Sequence, residues 1–326
     1  MRFIPTSLSS VLSLVLATGL MPAAHAQAGT YPDRPITVVV GYPAGGSTDL
    51  AGRAVADQLA KKLGVAVVVE NVGGAGGAIG AHRVSRSAPD GYTLLLGANN
   101  EIAINRLVSP SVKYSYKDFT PIGLVASTPM VLVASTQSGI KTADQFVSAV
   151  KASPGKYTYG SSGVGTALHL SAEMAKQQAG LFMSHIPYRG VGPLTTDLYS
   201  GTVDFGVFVL SSGLPHIRSG KLVALGITEK KRSAVAPDIA PLADHPALSN
   251  MDIGVWSALM APPNLPEAVA TRLRKALAEI LQTPDFRKKL EDTGSVVAPL
   301  NVDMGKFLVD ETAKYQKIVE FANIKE

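Results

Sequence analysis

The sequence predicts an α/β protein of two lobes, with strands feeding a parallel sheet and helices on both of its faces. Three observations point there. Apolar, β-branched runs alternate with amphipathic helices in the first part of the chain, the β-α-β-α-β pattern of a parallel sheet. A unit of strand, glycine-and-hydroxyl loop and helix N-terminus occurs twice, about 115 residues apart, which suggests one unit from each of two lobes facing a shared cleft. A chain of 326 residues, 46% hydrophobic and 17% charged, is long enough for two domains with sizeable cores.

The first unit is ITVVVGYPAGGSTDLAGRAVADQLAKKL, residues 36–63. Ile36 to Val40, bounded by Pro35 and Gly41, reads as a strand buried on both faces. The turn Gly41-Tyr42-Pro43-Ala44-Gly45-Gly46 follows. A helix starts near Ser47 or Thr48, with Leu50, Ala54, Val55, Leu59 and Leu63 at helical spacing. Ser47, Thr48 and Asp49 are all residue types that cap helix starts. The first turn of a helix has amides without partners and the positive end of the dipole, and Gly45 and Gly46 leave the backbone open to close approach. Tyr42, Pro43, Ala44, Gly45, Gly46 and Ser47 are therefore candidates for holding an anion. An ordinary βα connection with a capped helix is the alternative. Asp49 has the chemistry of a general base, but its position favours bracing the loop or ordering water there.

A second strand is expected at Val65 to Glu70. Residues 73–80 then lead into a small-residue helix reaching about Ser87. The spacing of these glycines does not match a dinucleotide fingerprint, because position 79 is Ile79, and no phosphate loop ending in G-K-[ST] occurs. They read mainly as close packing and a tight loop. A third strand, Tyr92 to Leu96, ends in the polar loop Gly97-Ala98-Asn99-Asn100. Ligands of open α/β sheets bind at the C-terminal ends of strands, which makes Asn99 a candidate.

Apolar runs at Ile122–Ala126 and Met130–Ala134 are broken by Thr128-Pro129. A helix runs from Lys141 to Ala152, and Tyr157 to Tyr159 is a short strand. The second unit follows: Gly160-Ser161-Ser162-Gly163-Val164-Gly165-Thr166, then a helix with Leu168, Leu170, Ala172, Met174 and Ala175. Ser161, Ser162, Gly165 and Thr166 are its ligand candidates. Beyond it lie strands at His185–Tyr188, Val203–Leu210, Leu222–Thr228 and Gly254–Met260. Helices are expected at Leu194–Ser200, Leu214–Ser219, Pro266–Gln282 and Pro284–Thr293. A last helix runs from Asn301 or Val302 to about Ala322.

Chemistry other than binding finds little support. There are no cysteines, hence no disulfide framework, thiolate metal site or cysteine nucleophile. His82, His169, His185, His216 and His245 show no metal-binding spacing, so no metal or other cofactor is expected. His169 either touches a ligand or fixes its loop, and loop support is the favoured reading. Ser161 and Ser162 suggest a hydrolase elbow, but G-x-S-x-G is not matched. A secreted serine hydrolase remains the rival from another class, and it would require turnover that Ser→Ala abolishes. Tyr42 and Phe208 either stack on a flat ligand or belong to the core.

The first 26 residues read as an export signal, with Arg2, an apolar stretch Leu8–Leu20 and the small-x-small site Ala24-His25-Ala26, so that Gln27 begins the mature chain. The run is shorter than the ~20 residues that span a bilayer, and no later segment suffices, so no membrane insertion is expected. Cleavage after Ala26 would place the protein outside the cytoplasm, in the periplasm of a Gram-negative source. Removing Arg2 lowers the formal charge from +5 to about +4. The scattered Lys and Arg read as a solvated surface rather than a nucleic-acid patch, in a mildly positive field that gathers small anions.

With both cradles placed, several stretches in order resemble the Bug family, the TctC-type solute receptors of tripartite tricarboxylate transport. They are GYPAGGSTDLAGR, GGAGGAIGA, APDGYTLLLG, YGSSGVGTALHL, HIPYRGVGP, the Leu214–Leu222 run and VWSALMAPPNLP. The similarity covers essentially the whole mature chain. It implies a two-lobed type II periplasmic-binding-protein (Venus flytrap) fold with a mainly parallel sheet in each lobe. Lobe one would comprise 27–126 and 251–326, and lobe two 127–250. It implies binding without catalysis: a monomer closing on a small organic carboxylate (di-, tri- or aromatic), with one end on Tyr42–Gly46 and Asp49. The other end would lie on Ser161, Ser162, Gly165 and Thr166. Its partners would be membrane transporter subunits or, alternatively, a sensor protein. Where the family pattern has a polar pocket residue this chain has Phe208, which would favour a larger or aromatic carboxylate.

Overall fold

The computed structural model describes Met1 and residues 31–325. Apart from Met1, the expected export signal 1–26 lies outside the described residues. The first half of the first sheet comes from β1 (Ile36–Val40), α1 (Ser47–Leu63), β2 (Val67–Asn71), α2 (Ala78–Ser85) and β3 (Thr93–Ala98). A π-helical turn, Asn100–Ile104, and the short α3 (Asn105–Val108) precede β4 (Thr120–Thr128). The chain then enters a second sheet with β5 (Met130–Ser135), α4 (Ala143–Ala152), β6 (Thr158–Ser161) and α5 (Ala167–Ala179). It continues there through β7 (Ser184–Pro187), α6 (Val191–Ser200), β8 (Phe205–Val209), α7 (Leu210–Arg218) and β9 (Leu222–Ile227). It returns to the first sheet as β10 (Val255–Ala261), α8 (Glu267–Ile280), α9 (Pro284–Glu291), β11 (Val296–Val297) and α10 (Met304–Ala322).

The first sheet has six strands in the order β11-β4-β10-β3-β1-β2, and the second has five in the order β7-β6-β8-β5-β9. Strand direction follows from the pairings. β1 is parallel to β2 and β3, β10 is antiparallel to β3 and β4, and β11 is antiparallel to β4. So β1 to β4 run one way, while β10 and β11 run the other. In the second sheet β6 is parallel to β7 and β8, and β5 is antiparallel to both β8 and β9. Only β5 opposes its companions. Each sheet is therefore mainly parallel, with a returning strand inserted where the chain has crossed from the other sheet.

Burial explains why the apolar runs became strands. Val38, Val39 and Val40 on β1 and Leu94, Leu95 and Leu96 on β3 are fully buried. Each such side chain contributes roughly 1.5–3 kcal/mol of transfer free energy. β2 is the edge of its sheet and is only partly covered, with Val68 exposed. Helices end where glycine supplies the left-handed conformation: Gly64 after α1 (φ 74°) and Gly180 after α5 (φ 62°).

Between β4 and β5 the crossing is only Pro129, whereas the return passes through 228–254. Thr228 ties the two crossings together, its hydroxyl donating to the carbonyls of Ile253 (2.6 Å) and Met130 (3.3 Å). α10 packs against α5, so one apolar cluster joins Leu308, Tyr315 and Ile318 of the first sheet's last helix to Leu168 and Leu170 under the second sheet.

Several expected bounds shift. α7 starts at Leu210 rather than Leu214, and α6 at Val191 rather than Leu194. The stretch after β3, read from sequence as a polar loop, is instead the π-helical turn and α3.

Candidate functional site

The first cradle is the β1–α1 loop. Gly41 is required by space: a Cβ there would lie 2.8 Å from the Cα of Gly77, so the loop and the glycine-rich segment 73–80 pack backbone to backbone. Gly45 is required by conformation, with φ 89°. The helix cap is Gly46, with no side-chain oxygen on the first turn. The first helical bond is Leu50 N to Gly46 O, at 2.9 Å. The amides of Ser47, Thr48 and Asp49 thus have no acceptor among the described residues. Pro43 to Ser47 are exposed.

Asp49 holds this loop in shape. It is buried; its Oδ2 accepts from the amide of Gly45 (2.8 Å) and from Arg53 Nε (2.9 Å), and its Oδ1 accepts from Asn71 Nδ2 (2.8 Å). Asn71 Nδ2 also donates to the carbonyl of Tyr42 (2.9 Å). Burial works to raise the Asp49 carboxyl, but the bonds from Arg53, Gly45 and Asn71 outweigh it and hold it below its ordinary value. Asp49 is a charged brace that ties the loop to Arg53 on α1 and to Asn71 at the end of β2. Tyr42 is also turned inward: its hydroxyl donates to Glu101 Oε2 at 2.5 Å. Glu101 is buried, its Oε1 accepting from the amide of Ala98 (2.7 Å). Burial pushes its carboxyl up to about 7, against the bonds from Tyr42 and Ala98 that favour the charge.

The second cradle, the β6–α5 loop, is satisfied from within. Thr166 caps α5 by accepting from the amide of His169 (3.3 Å), and its hydroxyl donates to Gly163 O (2.9 Å). Gly165, with φ 68°, donates its amide to His169 Nδ1 (3.1 Å). Asn100, from the π-helical turn of the first sheet, accepts at Oδ1 from the amide of Ala167 (3.1 Å). Ser161 is fully buried; its hydroxyl donates to Gly163 O (3.0 Å) and lies 2.8 Å from His185 Nε2. Ser162 is half-buried and makes no side-chain hydrogen bond among the described residues.

His169 and His185 stack under this loop with ring centroids 3.8 Å apart and planes 12° apart, and Tyr159 stacks on His185 at 4.9 Å. Burial, then the neighbouring His185 and Lys176, lowers His169 to about 3; burial and Lys176 lower His185 to about 4. Both imidazoles are neutral at pH 7. Lys176 itself is committed to Glu173 Oε1 at 2.6 Å, which also accepts from the Tyr159 hydroxyl.

Two of the sequence candidates belong elsewhere. Phe208 is fully buried in a cluster with Leu194, Leu198 and Leu214, so it is a core residue and gives no reason to favour an aromatic ligand. The alternation along β8 explains this: Phe205 and Val207 face one core cluster, Phe208 the other. Asn99 is also buried, with Nδ2 donating to the Gly254 carbonyl (3.0 Å) and to Tyr315 (2.9 Å), so it ties β3 to the crossing and to α10. His169 supports its loop, as favoured from sequence. Asn71, Arg53, Glu101, His185 and Asn100 were not anticipated. Only Arg53 had a local signal, four residues after Asp49 on one helix face.

Volume does not mark the site. Cavities of about 520 Å³ against Thr142 and Ile239 and about 380 Å³ against Glu229 and Lys314 lie away from both cradles. The crevice touching the first cradle, lined by Ser47, Thr48, Thr128, Val255 and Ser295, measures about 10 Å³. That is room for about one water molecule. The donors, rather than the space, single out the α1 N-terminus: it combines open amides with a rigid, charge-braced loop.

BugT of Bordetella pertussis is 33% identical over 323 residues, covering 98% of each chain. MatC from Rhodopseudomonas palustris, solved with bound malate, is 30% identical with a TM-score of 0.74, over 89% of this chain and 100% of that one. An R. palustris protein solved with adipate is 28% identical with a TM-score of 0.77, over 90% of this chain and 99% of that one. The profile of the tripartite tricarboxylate transporter family receptor, TctC, matches residues 51–324. Two mainly parallel sheets joined by crossing strands, and a match of that extent, lead to one conclusion: the chain belongs to the TctC family of tripartite tricarboxylate transporter receptors.

Proposed function

We propose that this protein is a periplasmic receptor that binds a small organic carboxylate between its lobes and hands it to membrane transporter subunits. The observation that carries the reading is the α1 N-terminus: three first-turn amides without acceptors among the described residues, on an exposed loop braced by Asp49. Such a terminus favours an anion through its donors and its dipole. Malate and adipate in two structural relatives support a carboxylate as that anion. The two lobes are taken as 27–126 with 251–326, and 127–250; the passage between sheets at Pro129 and again before β10 supports this division. Ligand bridging the lobes would stabilise the closed arrangement.

No catalytic step is proposed. Ser161 is fully buried, its hydroxyl 3.0 Å from the Gly163 carbonyl and 2.8 Å from His185 Nε2, which speaks against a solvent-facing nucleophile at that position. The test is a thermal-shift screen of residues 27–326, stripped of ligand by unfolding and refolding, against carboxylates and amino acids. A ligand at a hundredfold excess over its Kd adds about 2.7 kcal/mol of stability by mass action. A rise in Tm with a carboxylate is the expected result. A well-folded protein that responds to none of them would overturn the reading.

A further inference from the structure

The two cradles share a sequence pattern but differ in what they leave free. In α1 the amides of the first three helical residues, Ser47, Thr48 and Asp49, have no acceptor among the described residues. In α5 two of the corresponding three are taken: Ala167 N by Asn100 Oδ1 at 3.1 Å, and His169 N by Thr166 Oγ1 at 3.3 Å. The preceding loop closes on itself as well, since Gly163 N meets Ser161 Oγ (3.3 Å) and Gly165 N meets His169 Nδ1 (3.1 Å).

Asn100 differs in kind from the other acceptors. Thr166, His169 and Ser161 belong to the loop and helix they serve. Asn100 reaches in from the π-helical turn after β3, 67 residues away in sequence and on the other sheet. Its Oδ1 is a planar carbonyl oxygen placed on a first-turn amide, where one oxygen of a ligand carboxylate would otherwise sit. The neighbouring side chains fix it there. Asn99 bonds to Gly254 O and Tyr315, Glu101 to Tyr42, and Asn105 Nδ2 to Gly76 O at 2.9 Å, so the turn is anchored on three sides. Val108, at the end of the same segment, presses on the second loop: a Cβ on Gly165 would lie 2.9 Å from its Cγ2.

Charge gives the same answer. The stacked imidazoles beneath the second loop are neutral at pH 7, and Lys176 is spent on Glu173. A second carboxylate arriving here would find one open first-turn amide and no cation within the loop. Arg189, exposed on the β7–α6 connection, directly follows Tyr188, whose amide donates to the Ser161 carbonyl (3.0 Å). Desolvating a carboxylate without such compensation is strongly unfavourable.

We infer that Asn100 occupies the place of a second ligand carboxylate, so that this receptor selects compounds with one carboxylate, bound at the α1 cradle, and an uncharged far end towards Ser162 and Leu168. This rests on the carboxylate-receptor reading and narrows it. It sets the protein apart from its relatives that hold malate and adipate, which carry two carboxylates each.

The test is calorimetric titration of the stripped chain 27–326 with matched pairs differing only in the second carboxylate: butyrate and succinate, hexanoate and adipate, benzoate and terephthalate. The wild type is expected to favour the monocarboxylate of any pair that binds by at least tenfold. Asn100→Ala frees the amide of Ala167, and the preference should shrink about tenfold. Asn100→Asp, which keeps the bond and adds a charge, should widen it, and serves if the alanine variant folds poorly. A wild type that prefers the dicarboxylate overturns the inference, and loss of that preference in Arg189→Ala would locate the second carboxylate on Arg189. Equal ratios in the wild type and both Asn100 variants overturn it too. Binding of no carboxylate at all removes the receptor reading itself, and this inference with it.

Discussion

The α1 and α5 N-termini are built from the same kinds of residue and behave differently. The first is capped by Gly46, which offers no side-chain oxygen, and its loop is exposed. The second is capped by Thr166, occupied by Asn100 and underpinned by two stacked imidazoles. The first loop is braced through one ionised carboxylate, Asp49, and the second through neutral groups. The lesson is that a strand–glycine loop–helix pattern specifies where amides converge, while neighbouring side chains decide whether those amides remain available.

The contrast should appear most strongly in acid. The ordinary value for histidine is 6.5, and the folded protein holds His169 at about 3 and His185 at about 4. The unfolded chain therefore binds protons first. The stability that these neutral rings contribute is complete above pH 6.5 and is lost as pH falls through 4 towards 3. The loss should be on the order of 6 kcal/mol by pH 4, roughly half from each ring. Urea unfolding at pH 7, 5 and 4 would measure it, and the acid slope should flatten in a His169→Gln, His185→Gln double variant. An unchanged slope would separate the imidazoles from the second loop's stability.

On the first side the sign reverses. Glu101 rises from 4.5 to about 7 on folding, so its contribution is complete below pH 4.5 and is lost as pH rises through 7. The shift corresponds to about 3 kcal/mol. Glu101→Gln should remove its share of the fall between pH 4.5 and 8, the rest coming from Glu229, which burial also pushes up to about 7, while leaving the acid limb of the histidines unaltered. A Glu101→Gln profile that falls as steeply as the wild type's would contradict the raised Glu101 carboxyl.

Asp49→Ala should cost about 2 kcal/mol, because it leaves Arg53, Asn71 and the Gly45 amide without their shared acceptor; Arg53 is half exposed, which limits the loss. Carboxylate affinity should fall at least tenfold in a protein that still folds. Unchanged affinity would separate the brace from binding. The smallest effects come from exchanging the caps. Thr166→Ala should cost about 1 kcal/mol, whereas Gly46→Ser should add a few tenths. A Cβ at Gly46 meets nothing closer than the Pro43 carbonyl at 3.7 Å, so the serine fits. It should also weaken ligand binding by offering the first turn an internal acceptor; tighter binding would contradict the assigned role of those amides.

Most of the fold was legible because burial and local pattern coincide. The runs at Val38–Val40 and Leu94–Leu96 are buried on both faces and bounded by Gly or Pro. The two-residue β11 and the π-helical turn at Asn100 carried no such pattern, since one is too short for alternation and the other mixes polar and apolar residues. In the site, Asp49 was readable from its place at a helix start and Arg53 from its spacing. Asn100 was not, because its partner Ala167 is distant in sequence and only the meeting of the two sheets brings them together. Phe208 was misread because alternation along a strand gives two faces without saying which one looks into the cleft.

The most direct measurement is a calorimetric comparison, on the stripped chain 27–326, of each carboxylate that binds with its primary amide of the same skeleton. The amide keeps the shape and removes the charge that the α1 terminus is proposed to hold. The expected result is at least tenfold weaker binding of the amide, with the difference reduced in Asp49→Ala. Equal affinity for acid and amide would contradict the central claim that open amides at this helix start hold an anion.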